Sequence, residues 1–238
     1  MTSKKYELTS ESKTVAQGTT VYRIKALGTF GSVSAGDLGG WIQSEANLSH
    51  MGQCWIRGDA VVCGNAHVYG DAHVYGDAHV SGDAVVYRDA HVYGKAHVYG
   101  KAHVCGDADV YGTTHVSGDA HVCGKAHVYG KAHVSGNALV CGKAHVYGKA
   151  HVSGNAHVCG DAVVETGDDL VWFSNVGSGK GTLTVFRGQN SQLLCTRGCF
   201  YGTVDQFLAA SAVTHVSNEK IKRQYQMLIE VAKLTLGE

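Results

Sequence analysis

Hydrophobic and polar positions alternate with a short, regular period over the central part of the chain. Between Ala60 and Glu165 the unit A-x-V-x-G-[DKN] repeats over eighteen hexads, of which the last ends at Glu165 before its corner. Arg88 replaces one glycine, Thr114 one alanine and Thr113 one residue of the [DKN] position. The alternation of Ala and Val with other residues is the period of a β-strand. Gly followed by Asp, Lys or Asn is typical of a turn. Each six-residue unit, called a hexad below, therefore predicts a short strand followed by a corner.

A longer period is visible in the residue that follows Val, because every third hexad carries a similar residue there. Since a four-residue strand is not stable alone, successive hexads must coil into a solenoid. The sorting gives 18 residues and three sides per coil, and the sides are named the Tyr face, the Cys face and the Ser face. Their columns are Tyr75, Tyr93, Tyr111, Tyr129 and Tyr147; Tyr69, Tyr87, Cys105, Cys123, Cys141 and Cys159; and Ser81, Ser117, Ser135 and Ser153 with Cys63 and Tyr99.

The predicted fold is therefore mainly β, a three-sided parallel β-helix filled with Val and Ala. Six coils at roughly 4.8 Å per rung make a prism about 29 Å long. An aliphatic residue at one position and a small residue four positions later resemble the hexapeptide-repeat proteins, over Ala60 to Glu165. That resemblance implies a left-handed parallel β-helix, an exception to the usual right-handed crossover. It also implies a homotrimer about the prism axis, since such proteins are commonly trimers.

The two ends depart from the hexad pattern and predict caps. We assign residues 1–50 to an N-terminal β cap, 51–166 to the solenoid and 167–238 to a C-terminal α+β domain with two helices. The N-terminal segment predicts strands around a Gln17-Gly18 turn. The stretch GSGKGT at 177–182 lacks the spacing of a phosphate loop and predicts a hairpin turn.

One C-terminal helix is predicted to start near Thr203 and the other after Ser217, a plausible N-cap. Their apolar stripes predict packing against the rest of the domain. The residues predicted to face inward are Phe207, Leu208 and Ala212 in the first helix, and Ile221, Tyr225, Leu228, Val231 and Leu234 in the second.

Both ends also resemble a family of bacteriophage and prophage proteins with G-[DNK]-A-x-V-x arrays, often described as hypothetical or polymer-forming. The resemblance rests on VYRIKAL…AGDLGGWIQSEANLS…CWIRGDAVV and on RGCFYGTVDQFLAA…RQYQMLIEVAKL, and covers nearly the whole chain. It implies a phage context, and it supplies no catalytic residues.

Composition narrows the classes of partner and compartment. Lys+Arg and Asp+Glu are both 20, so no positive charge favours nucleic acid. Apolar runs stay short of the ~18 residues of a membrane span, and Met1-Thr-Ser-Lys-Lys leads into no signal core. We therefore expect a cytoplasmic protein, in the host cell if it is phage-encoded. Its eight cysteines lack CxxC spacing and are expected to be free thiols.

Histidine occupies thirteen of the eighteen outward positions before Val. Three interpretations are open: a solvated strand surface, a pH-responsive surface, and metal binding. No cofactor is expected on the first two. For metal binding, the best zinc candidates lie on the Cys face, and they are His103, Cys105, His121 and Cys123.

The Cys column itself is open to three interpretations, namely apolar packing, disulfides or zinc ligands, of which packing is favoured. Val85 and Leu139 replace His on this face and make it the most apolar. An exposed apolar stripe usually meets a partner, so this face, or otherwise the Tyr face, is predicted to form the subunit contact. The contact residues are predicted to be Tyr87, Cys105, Cys123, Leu139 and Cys141.

Function is predicted as non-enzymatic binding by an oligomer that sequesters a host factor, either a nucleotide defence signal or a defence protein. The candidate ligand-binding residues are Arg197, Tyr201 and Thr203, which offer charge, stacking and a helix N-terminus. A structural scaffold or virion module is one alternative. A hexapeptide acyltransferase-like or γ-carbonic-anhydrase-like enzyme is another, which the absence of any loop inserted between hexads disfavours.

Overall fold

The computed structural model describes residues 4–237 of the chain. Residues 1–3 and 238, at the outer ends of the predicted cap and C-terminal domain, lie outside the described residues, and so does part of the Met1-Thr-Ser-Lys-Lys segment. Within 4–237 the fold is mainly β, with a β-solenoid between two capping regions and a small helical part at the C-terminal end. No helix in this part of the chain has the length and apolar character needed to cross a membrane.

The N-terminal region is a hairpin that leads directly into the solenoid. Strands β1 (Tyr6–Thr14) and β2 (Thr20–Ala26) pair antiparallel around a turn at 15–19, as predicted. Strand β3 (Leu38–Ile42) pairs antiparallel with β2 on one side and in parallel with the first hexad on the other.

Each hexad forms one short rung, and the rungs stack three positions apart. His97, for example, pairs in parallel with His79 below and His115 above, which confirms the 18-residue coil. The rungs are β4 (Trp55–Ile56), β5 (Val61–Val62), β6 (His67–Val68), β7 (His73–Val74), β8 (His79–Val80), β9 (Val85–Arg88), β10 (His91–Val92), β11 (His97–Val98), β12 (His103–Gly106), β13 (Asp109–Val110), β14 (His115–Val116), β15 (His121–Val122), β16 (His127–Val128), β17 (His133–Val134), β18 (Leu139–Val140), β19 (His145–Val146), β20 (His151–Val152), β21 (His157–Val158) and β22 (Val163–Val164).

The parallel rungs form three sheets that correspond to the three predicted faces, and the sheet of the Ser face also contains the antiparallel strands of the N-terminal region. Seven strands form the Tyr face and six form the Cys face, so the solenoid makes about seven turns. This is one more than the six predicted, because Trp41 already pairs in parallel with Val61. The first turn thus begins inside the segment assigned to the cap, where the hexad spacing is still irregular.

The Ala and Val of the hexads are fully buried and fill the prism. Thr114 stands where the other hexads have Ala, and its buried hydroxyl donates to the carbonyl oxygen of Tyr111 at 2.6 Å. The corner glycines have positive φ and lie directly above one another. A Cβ added to Gly118 would lie 2.9 Å from backbone atoms of Gly136, so this corner requires glycine for space as well as for conformation.

The C-terminal domain begins with a four-stranded antiparallel sheet in sequential order. Its strands are β23 (Leu170–Val176), β24 (Gly181–Arg187), β25 (Leu193–Arg197) and β26 (Phe200–Thr203). The stretch 177–180 is the turn between β23 and β24, which confirms the predicted hairpin at GSGKGT.

This sheet closes the last turn of the solenoid by satisfying its backbone groups. The hydroxyl of Thr184 accepts from the backbone N–H of His157 at 3.0 Å, and that of Thr196 donates to the carbonyl of His157 at 2.7 Å. The hydroxyl of Tyr201 accepts from the N–H of Asp161 at 3.1 Å. Open strand edges would leave such groups unpaired, so the end of the solenoid is covered by side-chain hydroxyls.

The two helices pack on the other side of the sheet. Helix α1 (Val204–Thr214) is capped by Thr203, and helix α2 (Glu219–Leu236) by Asn218, one residue later than predicted. The predicted inward stripes are only partly correct, since Ala212 is exposed and Val231 and Leu234 are 47% and 78% exposed. The buried residues of α2 are spaced by four, three and four positions, which is the helical period; they are Tyr225, Ile229, Ala232 and Leu236.

Candidate ligand-binding site

A cavity of about 340 Å³ lies in the C-terminal domain, between the turn at 177–180, the end of β25 and the two helices. It brings together one guanidinium group, hydroxyl groups and several aromatic rings. The residues of the cavity wall that matter here are Arg197, Phe200, Phe207, Ser211, His215 and Tyr225.

Arg197 is aimed at this cavity by the alternation of its strand. Thr196 faces the solenoid, so the next residue faces the helices. There the Nε of Arg197 donates to the hydroxyl of Tyr225 at 3.1 Å, and its Nη2 donates to the carbonyl of Val176 at 2.9 Å. The guanidinium group is thus held in one orientation without a carboxylate, as none of the ion pairs within residues 4–237 involves Arg197.

The glycines of GSGKGT make room for this arrangement. A Cβ on Gly181 would collide with the Arg197 guanidinium, and a Cβ on Gly177 would collide with the Tyr225 hydroxyl. The glycine-rich turn therefore serves the close approach of the hairpin to Arg197 and Tyr225, which explains its composition without a phosphate loop.

The hydroxyl of Ser211 has no hydrogen-bond partner within the described part of the chain, although its residue is only 6% exposed. Buried hydroxyls nearly always have a partner, and leaving one unpaired costs free energy. Because Ser211 belongs to the cavity wall, a bound polar group would satisfy it.

Aromatic rings form the rest of the wall. Phe207 meets Tyr225 edge to face with ring centroids 4.9 Å apart, and Phe200 meets Phe207 in the same way at 5.3 Å. Behind them Cys195 belongs to the core, and burial raises the pKa of its thiol to about 12, so it is not a nucleophile at neutral pH. Chemically, the cavity suits an anionic ligand that also carries a planar or apolar part.

Of the three ligand-binding residues predicted from the sequence, only Arg197 lines this cavity. Tyr201 lies on the opposite face of the sheet, where it closes the solenoid, and the hydroxyl of Thr203 caps α1 by accepting from Gln206 N–H at 3.1 Å. Because Arg197 pairs with Phe200 across a tight turn, Tyr201 pairs with Thr196 and shares its side. The short turn in RGCF was the sequence signal for this pairing, and it would have selected Phe200 instead of Tyr201. Nothing in the sequence singled out Ser211 or His215.

The predicted zinc candidates are neighbours on the Cys face, as their spacing required. The rings of His103 and His121 are stacked with centroids 4.7 Å apart and an interplanar angle of 12°. Parallel rings direct their nitrogen lone pairs in parallel planes instead of towards one point. On the same face Cys105 is buried. The pKa of the Cys123 thiol is raised, first by its burial and then by the neighbouring Cys105. No cluster of three or more potential ligands is placed around one point within residues 4–237, and zinc binding stays a prediction.

The expectation of free thiols is wrong for one pair, because Cys141 and Cys159 form a disulfide across adjacent coils. The stacking brings equivalent residues of successive coils within bonding distance, an effect that the sequence distance of 18 residues hides. The other predicted contact residues share this face with Cys141, as the strand order places them in one sheet. They are Tyr87, Cys105, Cys123 and Leu139, and their role as a subunit contact stays a prediction.

The remaining faces carry aromatic ladders. On the Ser face, stacked imidazoles run from His79 to His151 with centroids 4.8 to 5.2 Å apart. On the Tyr face, stacked phenols run from Tyr75 to Tyr147 with centroids 4.7 to 5.0 Å apart. Within each ladder the inner rings have a stacked neighbour on both sides, whereas the first and last ring have a stacked ladder neighbour on one side only.

Comparison with known proteins adds no functional assignment. No protein-family model matches the chain, and no curated protein matches its sequence. The candidate site is therefore defined by geometry alone.

Proposed function

We propose that this protein is a non-enzymatic binding protein whose C-terminal domain sequesters a small anionic molecule with a planar ring, of the nucleotide class. The observation that supports this most directly is the fixed guanidinium of Arg197, which has no carboxylate partner within residues 4–237. It faces a cavity that also holds the Ser211 hydroxyl, which is unpaired among the same residues. Arginine is well suited to phosphate because its fork donates two parallel hydrogen bonds.

The resemblance to phage proteins supplies the setting of the proposal. A phage-encoded protein of this kind would act in the host cytoplasm and remove a host molecule, such as a nucleotide used in defence. The oligomer is proposed to be a homotrimer joined through the Cys face, which leaves the C-terminal cavities accessible. Steady binding without turnover needs no catalytic residue, so no enzyme activity is proposed.

Titration calorimetry with the purified protein tests this proposal, with AMP, GMP, CMP and UMP as probes. At least one nucleotide is expected to bind wild type. Arg197→Gln should weaken its binding at least about tenfold, since a charge-assisted pair is lost. Ser211→Ala should weaken it by about threefold to tenfold, because one neutral hydrogen bond is lost.

Arg223→Gln is the matched control, because it removes the same charge from an exposed position of the same domain. Its affinity is expected to equal that of wild type. Absence of binding by all four nucleotides at millimolar concentration would contradict the proposal and favour a scaffold role. Equal losses in the Arg197 and Arg223 variants would show that only general charge matters, which also contradicts it.

A further inference from the structure

The tyrosine ladder has a free ring face at its N-terminal end. Tyr75 is the first of the five stacked phenols, and one coil earlier the same column holds Arg57. The guanidinium group does not cover the ring, because its Nη2 donates to the hydroxyl of Ser32 at 2.5 Å. Within residues 4–237, the cation–π contacts do not include Arg57 either.

A cavity of about 370 Å³ occupies the space left in this way. Tyr75 and Arg57 form two of its sides, and the imidazoles of His73 and His91 and the hydroxyl of Ser32 complete the wall. Ser32 belongs to a tight turn that closes between Phe30 and Val33. This turn is anchored by Phe30, whose ring meets Trp55 edge to face at 5.4 Å, so the cavity has a packed wall.

Charge distinguishes this end of the ladder from the other. At the N-terminal end no ion pair within the described residues neutralises Arg57. At the C-terminal end a cavity of about 500 Å³ adjoins Tyr147. Its wall carries Glu165, to which the Tyr147 hydroxyl donates at 3.4 Å, and Asp169, which pairs with Arg187 at 3.3 Å. The two terminal rings thus have opposite electrostatic surroundings.

We propose that the cavity at Tyr75 is a binding site for a planar aromatic anion. Its ring stacks on Tyr75 and extends the ladder by one member at about the spacing of offset aromatic pairs. Its carboxylate or phosphate pairs with the guanidinium of Arg57, which the ladder leaves free. The site shares no residue with the cavity at Arg197, so this proposal is independent of the proposed C-terminal site.

Three matched probes separate the two recognition elements. Phenylacetate has the ring and the anion, cyclohexylacetate has the anion without a π-system, and phenylacetamide has the ring without the charge. Calorimetry is expected to show binding of phenylacetate, with the other two at least about tenfold weaker. Proton spectra of bound phenylacetate should show upfield ring shifts, since its ring lies over Tyr75. Phenyl phosphate, tested in parallel, distinguishes a carboxylate from a phosphate ligand.

Variants at both ends of the ladder locate the site. Arg57→Gln and Tyr75→Leu should each weaken phenylacetate binding at least about tenfold. Tyr147→Leu removes the ring at the other end of the same ladder and should leave the affinity for phenylacetate unchanged. Thermal melts of Tyr75→Leu and Tyr147→Leu check that both fold equally well, and Arg57→Gln tests the site without altering the ladder. The proposal would be overturned if cyclohexylacetate bound as tightly as phenylacetate, or if Arg57→Gln bound phenylacetate with the affinity of wild type. It would also be overturned if neither phenylacetate nor phenyl phosphate bound.

Discussion

Arg88 adopts the backbone conformation that glycine adopts at the other corners, with φ of 64°. This conformation brings the Cβ of an L-residue close to a carbonyl oxygen and costs about 1 to 2 kcal/mol. The chain tolerates the substitution where two rungs lengthen to four residues, since Arg88 pairs directly with Gly106 there. The strain at this corner is therefore local and removable.

Arg88→Gly is expected to increase the free energy of unfolding by about 1 kcal/mol, because the left-handed conformation is then free of strain. Urea denaturation measures this as a higher midpoint at an unchanged slope. Asp89→Gly, at the neighbouring exposed position without positive φ, is the control and should lower the midpoint. A lower midpoint for Arg88→Gly would contradict the expectation.

The histidine ladder of the Ser face makes stability depend on pH. Burial and neighbouring imidazoles lower the pKa of its members His97, His115 and His133. Below the ordinary pKa near 6.5 the unfolded chain therefore binds more protons than the folded chain. The stabilisation is complete above pH ~7 and is lost as the pH falls through ~6.5 and below.

Thermal melts should accordingly show a lower unfolding midpoint at pH 5.5 than at pH 7.5. The difference between the two midpoints should shrink in His115→Gln, because this residue has a stacked neighbour on both sides. Ser135→Ala, on the same face but at a residue without a titratable side chain, is the control and should leave the difference unchanged. Equal midpoints of the wild type at the two pH values would contradict this interpretation.

Rungs were predictable from the sequence because their pattern depends only on neighbours along one strand. The alternation of Ala and Val, the corner glycine and the column residues each specify a position in the coil, and the stacking of His79 under His97 follows from them. Helix α2 was predicted less well, since it carries apolar residues on two sides. Ile229 is buried and Val231 is exposed because of how the helix contacts the sheet. That contact joins parts of the chain that no local pattern relates.

The candidate site also depends on contacts between distant parts of the chain, which local sequence patterns do not predict. Arg197 was identified from its charge beside aromatic residues, but its partners Tyr225 and Val176 come from a helix and from another strand. The end of the tyrosine ladder could be read from the column, whereas the free ring face could not. It depends on the side chain of Arg57 turning towards Ser32, which is a packing outcome of the N-terminal region.

The disulfide links two adjacent rungs of the Cys face and closes a loop of 18 residues. Replacing both members, as Cys141→Ser with Cys159→Ser, should lower the free energy of unfolding by about 3 kcal/mol in non-reducing buffer. In reducing buffer the variant and wild type should differ much less. Cys123→Ser, in the same column but outside the disulfide, is the control, and its difference from wild type should be the same in both buffers. A thiol count of eight in the native, unreduced protein would contradict the bond.

The coil repeat makes deletions of different lengths inequivalent. Removing residues 119–136 takes out one whole coil and keeps every column in register, because it joins Gly118 to another hexad of the Cys face. Removing only 119–124 shifts all later hexads by one face and breaks the Tyr and Cys columns. In the second case only, the rungs on the two sides of the junction no longer carry matching residues that can stack.

We therefore expect the shorter deletion to lower the thermal unfolding midpoint more than the longer one. Circular dichroism melts at equal concentration measure both, and both variants should retain a β-type spectrum. The reverse order of midpoints would show that the columns contribute nothing beyond the buried Ala and Val.

The proposed trimer predicts the effect of a charge on the Cys face. Leu139→Asp should reduce the mass measured by light scattering from three chains to one, because a buried unpaired carboxylate is costly at an interface. His133→Asp places the same charge on the Ser face and should leave the mass unchanged. A single-chain mass for the wild type would contradict the trimer.

The regular corners also fix how the two proposed sites are oriented towards each other. One site lies at the first tyrosine of the Tyr face, and the other lies beyond the last coil in the C-terminal domain. Adding three hexads would separate the two sites by one more rung, about 4.8 Å, and would keep their relative direction about the solenoid axis. Adding a single hexad would swing one site about a third of a revolution around the axis. The number of hexads therefore sets the distance and the direction between the two binding sites. Duplication of short DNA segments can change both without changing either site.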